Sequence, residues 1–164
     1  MKKIIKSIVT LFLVFWLAAC SNTDKAEIIP DRFKNFMNTY FHGYIYEYKD
    51  INARGNHNYG EQYALIKIKK ADLNRDEMKN IYKKLEDGGW KLVETNHDNY
   101  VNFCYGEDFS LIILYPLGKF AKTPAGIPLS YDDINVWQIS VYKSTSKLAT
   151  CNQNSNDFID FKTL

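Results

Sequence analysis

The chain is poor in the residue types that build metal centres, with three cysteines and three histidines among 164 residues. It contains no C-x-x-C, H-E-x-x-H or H-x-H spacing, so no single element presents the close pair of ligands that zinc sites use. The acidic pair Asp132-Asp133 lacks the Asp/Asn and Gly spacing of a calcium loop. We therefore expect no metal ion and no other cofactor.

Sequence signatures of catalysis are also lacking. There is no G-x-S-x-G nucleophile motif, and residues 55–60 are not followed by the Lys-Ser/Thr of a phosphate-binding loop. His42, His57 and His97 are scattered over a helix end and two loops, and a cation at His42 complements the helix dipole. The sequence favours a non-enzymatic protein. A hydrolase whose paired carboxylates are distant in sequence is the alternative.

No apolar run is long enough to cross a membrane permanently. Three lysines within the first six residues precede an apolar stretch over residues 8–19, interrupted only by Thr10. As a helix, this stretch spans about 18 Å, well short of the ~30 Å hydrocarbon core of a bilayer. A cleaved signal peptide over residues 1–19 is therefore favoured over a membrane-spanning helix.

The end of the apolar stretch, Leu17-Ala18-Ala19-Cys20, resembles the lipobox of bacterial lipoproteins. This resemblance covers residues 1–20 only. It implies that the Cys20 thiol receives a diacylglyceryl group, that a peptidase cuts before Cys20, and that the new amine is acylated. Two or more acyl chains anchor a protein stably to a membrane. An ordinary secretory signal that contains a cysteine, or an uncleaved anchor, is the alternative.

The same resemblance implies a location in the cell envelope. Ser21, rather than aspartate, follows the cysteine, which in such lipoproteins permits transfer to an outer membrane. In a cell with two membranes, we therefore expect the protein on the outer membrane, facing the periplasm.

Cleavage removes the apparent basic character of the chain. The full sequence has a net charge of +2, but without the three signal lysines 18 basic residues face 19 acidic ones. A near-neutral chain lacks the single-sign field that attracts nucleic acid or an anionic lipid surface. We therefore expect no nucleic-acid partner. The partner expected for a small, aromatic-rich exported domain without catalytic motifs is another protein of the envelope.

The remaining cysteines predict a structural link. If Cys20 carries lipid, Cys104 and Cys151 remain, and an even number of cysteines in an exported protein indicates a disulfide. The alternative is a pair of free buried thiols.

Hydrophobic periodicity predicts one α+β domain over residues 30–164, behind a short lipidated tether at residues 20–29. A helix begins near Pro30, and a second helix has Asn74 and Glu77 as a capping pair and ends at Gly88-Gly89. With the strand-like segments between and after them, the order is α-β-β-α-β-β-β-β. This order predicts a mostly antiparallel sheet of about six strands with both helices packed on one face.

Two segments are candidates for contact with a partner. Tyr44, Tyr46 and Tyr48 alternate along a predicted strand, and an exposed tyrosine stripe stacks on sugar rings or anchors a protein. The alternative is that these tyrosines face the core. The second candidate is the loop at residues 117–133, which is too apolar for a solvated linker.

Four residues of this loop are assigned to the contact surface: Phe120, Ile127, Leu129 and Tyr131. The alternative for the loop is that it folds back over the sheet edge. Together, these features predict a lipid-anchored envelope protein that binds another protein, of the inhibitor, immunity or accessory type. A module that binds a small ligand or the cell wall through the tyrosine stripe is the second hypothesis.

Overall fold

The computed structural model describes residues 29–51, 61–96, 99–123 and 126–152. Several predicted features lie outside the described residues: the predicted signal peptide, Cys20 and most of the predicted tether, together with His57, His97 and residues 153–164. The described part of the chain contains two α-helices, eight strands and one short 3-10 helix. In chain order these are α1 (Asp31–Tyr40), β1 (Glu47–Asp50), β2 (Gln62–Lys69), α2 (Arg75–Asp87), β3 (Lys91–Asn96), β4 (Tyr100–Tyr105), β5 (Phe109–Leu114), β6 (Phe120–Lys122), β7 (Pro128–Ser130), β8 (Val136–Lys143) and the 3-10 helix Ala149–Cys151.

Six strands form one antiparallel sheet in the order β1-β2-β8-β5-β4-β3. The last strand, β8, lies in the middle, where it pairs with β2 along one side and with β5 along the other. β6 and β7 pair only with each other. The predicted α+β class, with two helices and an antiparallel sheet of about six strands, is confirmed.

Helix α2 begins and ends where the sequence predicts. The Asn74 side chain accepts hydrogen bonds from the backbone amides of Asp76 (2.9 Å) and Glu77 (3.0 Å). The Glu77 carboxylate in turn accepts one from the Asn74 amide at 2.8 Å, which completes a capping box. At the other end, Gly88 caps the helix through its own amide.

The two helices and one face of the sheet enclose the main core. Helix α1 contributes Phe33, Phe36 and Met37, which follow the spacing of one helical face. The sheet contributes alternate residues of its central strands, because side chains alternate between the two faces of a strand. These buried sheet residues are Ala64, Ile66, Ile68, Val101, Phe103, Leu111, Ile113, Trp137, Ile139 and Val141.

A disulfide fixes the end of the described chain to the sheet. It joins Cys104 of β4 to Cys151 at the end of the 3-10 helix, with the two Cα atoms 5.5 Å apart. The pairing favoured by the sequence is thus the one that the structure contains. The bridge spans 47 positions of sequence and holds the chain after β8 against β4.

Two segments differ from the sequence-based expectation. The first edge strand begins at Glu47 rather than at Gly43, so Tyr44 and Tyr46 precede it. Residues 117–133 are not a plain loop, because they contain the antiparallel hairpin of β6 and β7. The hairpin forms because Ala121 and Leu129 lie opposite each other and are both buried in part against the sheet.

Candidate contact surface

The β6–β7 hairpin has one face toward the sheet. Ala121 and Leu129 are directly opposite each other, so they share a face of the hairpin. They pack against a second buried cluster formed by Tyr100, Leu114 and Tyr131. The hairpin is therefore supported by the sheet rather than projecting freely into solvent.

Two large apolar side chains of the hairpin are exposed to solvent. Phe120 lies opposite Ser130, on the face away from Ala121 and Leu129, and is 76% exposed. Ile127, beside the turn at the other end of the hairpin, is 60% exposed. Leu117, just before β6, is also exposed. We call Leu117, Phe120 and Ile127 the hairpin patch. Exposed large apolar side chains on or beside one short hairpin make it a candidate interaction site.

Backbone and hydroxyl hydrogen bonds fix the end of the hairpin. The Thr123 amide donates to the Ile127 carbonyl at 2.9 Å, and the Ile127 amide donates to the Thr123 hydroxyl oxygen at 3.1 Å. Gly126 occupies the left-handed region at φ 83°, which only glycine adopts without strain. At the base, the Tyr131 amide donates to the Lys119 carbonyl at 2.9 Å. Ile127 is thus held in a defined position beside the turn.

Charges of both signs lie beside the hairpin patch. Lys119 and Lys122 are exposed, and the Lys119 ammonium lies 5.9 Å from the centroid of the Phe120 ring. Asp132 and Asp133, directly after the hairpin, are exposed as well. A complementary surface would therefore be apolar at its centre and charged at its rim, with carboxylates opposite Lys119 and Lys122.

Two residues assigned to this surface from the sequence lie beneath it instead. Tyr131 is only 3% exposed and Leu129 is half-buried, both packed against the cluster under the hairpin. Burial also raises the pKa of the Tyr131 hydroxyl. We therefore correct the assignment: Leu129 and Tyr131 support the hairpin, whereas Phe120 and Ile127 are available for contact. The sequence pattern does not indicate Leu117 as a contact residue, because Leu117 lies between Pro116 and Gly118 in a segment without regular alternation of apolar residues.

The tyrosine stripe is less available than an exposed stripe requires. Tyr44, Tyr46 and Tyr48 are all half-buried and pack against the main core, as the core-facing alternative expects. Burial, and then the charge of Glu77, raises the pKa of Tyr44. Tyr44 and Tyr46 are therefore removed from the candidate contact surface.

The rest of the described chain adds no further site of this kind. In the described ranges, no three histidine, cysteine or acidic side chains come together in a way that would hold a metal ion. No helix among these residues is long and apolar enough to cross a membrane. His42 is exposed at the end of α1. No family model, curated protein or solved structure matches this chain.

Proposed function

We propose that this chain is a lipid-anchored protein of the bacterial cell envelope that acts by binding another protein through the hairpin patch. The observation that carries the proposal is the high exposure of Phe120 and Ile127 on a hairpin that is itself fixed to the sheet through Ala121 and Leu129. Such a patch loses little conformational freedom when a partner covers it, which favours affinity.

The chemistry of the patch supports a protein as its occupant. An aromatic side chain at the centre of an interface is the type of residue that dominates binding energy. Lys119 and Lys122 beside Phe120 would pair with carboxylates at the rim of a partner and guide its approach. An inhibitor, immunity or accessory protein of the envelope would use a contact of this kind.

The lipobox resemblance supports the anchored location. Acylation at Cys20 would place the folded domain next to a bilayer, because the nine residues from Cys20 to position 28 reach at most about 30 Å. The partner would then be a membrane protein or another protein held close to the membrane. Replacing Cys20 by serine is expected to abolish acylation and to release the protein from the membrane fraction.

The contact is tested by capture of envelope proteins on the purified mature chain. We expect one partner to be captured in a stoichiometric amount, and Phe120→Ser together with Ile127→Ser to reduce the capture at least tenfold. Ile45→Ser is the matched control, since Ile45 is 84% exposed but lies between α1 and β1. It is expected to retain full capture. Equal capture by the double variant and the wild type would contradict the proposal.

A lipid surface is the competing occupant of the same patch. Vesicles that contain anionic phosphatidylglycerol distinguish the two, with a soluble form lacking the acyl chains as the sample. Adsorption to vesicles that the double variant loses, without any captured protein, would assign the hairpin patch to the membrane.

A further inference from the structure

A concave surface lies away from the hairpin, between α1 and the turn that follows α2. We call it the groove. This groove has a volume of about 230 Å³. It is below the ~300 Å³ at which pockets for drug-sized molecules begin, so it suits a single ring. The residues that line it are Arg32, Asn35, Phe36, Thr39, Tyr40, Gly88, Trp90, Tyr105 and Phe109.

Aromatic rings form the floor of the groove. The Trp90 ring lies 5.0 Å from Phe109, 5.5 Å from Tyr105 and 5.6 Å from Phe36, measured between centroids. Tyr105 is 49% exposed, whereas Trp90 is buried beneath it. The packed rings hold one another in place, so the exposed side of Tyr105 forms a rigid apolar platform.

Two glycines form the turn at one edge of the groove. A methyl group at Gly88 would collide with the hydroxyl oxygen of Tyr40. Gly89 lies in the left-handed region at φ 90°, where a side chain would also be strained. The Tyr40 side chain therefore packs directly on the backbone of Gly88, which fixes this edge of the groove.

The rim of the groove supplies hydrogen-bond donors and a positive charge. Arg32 and Asn35 are three residues apart on α1, and both side chains are exposed. Within the part of the chain that the structure describes, Arg32 has no ion pair, and no carboxylate lines the groove. The nearby cation Lys143 is already paired with Asp108.

We propose that this groove binds a six-membered sugar ring that carries a carboxylate. The apolar C–H face of the ring would pack on Tyr105, as apolar faces pack on aromatic platforms. The carboxylate would pair with the Arg32 guanidinium, whose planar fork matches its two oxygens. The Asn35 amide, which both donates and accepts, would bond a ring hydroxyl. The site is separate from the hairpin patch and does not depend on the function proposed for that patch.

The test is an NMR titration of the isotope-labelled mature chain in detergent micelles with D-glucuronate. The mature chain has two tryptophans, Trp90 in the groove and Trp137 in the core. We expect the indole N–H signal of Trp90 to shift saturably and that of Trp137 to stay in place, which provides an internal control. D-Glucose, which lacks the carboxylate, is expected to bind about tenfold more weakly.

Matched variants distinguish the contribution of the Tyr105 ring to glucuronate binding from that of the Arg32 charge. Tyr105→Ser is expected to weaken glucuronate binding about tenfold, whereas Tyr105→Phe retains it. Leu92→Ser on neighbouring β3 is the control, because Leu92 is 46% exposed and does not line the groove. Arg32→Gln is expected to reduce glucuronate affinity to the level of glucose, with Lys34→Gln on the same helix as its control.

Three results would overturn this proposal. The first is the absence of any shift of the Trp90 signal in the wild type up to about 10 mM glucuronate, in a sample whose spectrum has the chemical-shift dispersion of a folded protein. The second is binding of benzoate as tight as that of glucuronate, which would assign the groove to aromatic acids. The third is equal affinity for glucuronate and glucose in the wild type, which would remove the role of Arg32.

Discussion

The indole nitrogen of Trp137 donates a hydrogen bond of 2.8 Å to the carbonyl oxygen of Leu73, which is 64 residues earlier in the chain. Both residues are buried. The bond joins the central strand β8 to the turn that precedes α2. Tyr115 packs edge-on against the same indole, with the ring centroids 4.5 Å apart. This contact fixes the start of α2 against the middle of the sheet.

Trp137→Phe is expected to lower the free energy of unfolding by about 2–4 kcal/mol. The variant leaves the Leu73 carbonyl buried without a donor and leaves a cavity where the larger ring was. Urea unfolding followed by circular dichroism measures the change. A loss below about 0.5 kcal/mol would show that the corner relaxes around the smaller ring and that the bond contributes little.

Asn74→Ala is expected to destabilise the protein by about 1 kcal/mol. The substitution removes the acceptor for the amides of Asp76 and Glu77 at the start of α2. Asn80→Ala, on an exposed position within the same helix, is the control and is expected to change stability by less than about 0.5 kcal/mol. Equal effects of the two substitutions, measured by thermal or urea unfolding, would contradict a capping role for Asn74.

Cys151→Ala is expected to cost about 4 kcal/mol of stability. The bridge to Cys104 closes a loop of 47 positions, and its loss restores the conformational entropy of that loop to the unfolded chain. Urea unfolding with and without reductant measures the effect, since reductant should destabilise the wild type and leave the variant unchanged. Thr150→Ala, at an exposed neighbouring position, is expected to remain sensitive to reductant.

The raised pKa of Tyr100 predicts that the protein loses stability at alkaline pH. Burial, and then the charge of Glu94, raises its pKa from 10.0 to about 12. Because the folded-state pKa lies above the unfolded one, this contribution to stability is complete below about pH 10 and is lost as pH rises through 12. We expect the unfolding free energy of Tyr100→Phe to decline less steeply than that of the wild type across this window.

The control for the alkaline prediction is Tyr105→Phe, which replaces a half-exposed tyrosine on the same strand. It is expected to retain the steep decline of the wild type. Chemical unfolding at a series of alkaline pH values provides the comparison. Parallel curves for Tyr100→Phe and the wild type would show that other buried groups, Tyr82 among them, govern alkaline unfolding.

Local features of the fold were predictable from the sequence, and non-local ones were not. The capping pair Asn74 and Glu77 and the end of α2 at Gly88 depend on residues within one helix, so their spacing is sufficient. The insertion of β8 between β2 and β5 depends on pairings between β2 and β8 residues that are 67 to 81 positions apart, which periodicity does not report.

The same distinction between local and non-local features applies to the contact surface. Phe120 and Ile127 could be identified by composition, but their separation from Leu129 and Tyr131 requires the register of two three-residue strands. Strands this short carry too little alternation to be recognised. The groove at Trp90 was not predicted at all, since its lining comes from α1, the α2–β3 turn, β4 and β5.

The central position of β8 determines when the two halves of the sheet can join during folding. Until β8 is available, β1 and β2 have no hydrogen-bonding link to the three strands β5, β4 and β3. Both partner edges, on β2 and on β5, stay unpaired, and such edges favour association with other chains. The two halves of the sheet thus become one cooperative unit only when β8 has inserted between them, so folding depends on contacts of long sequence separation.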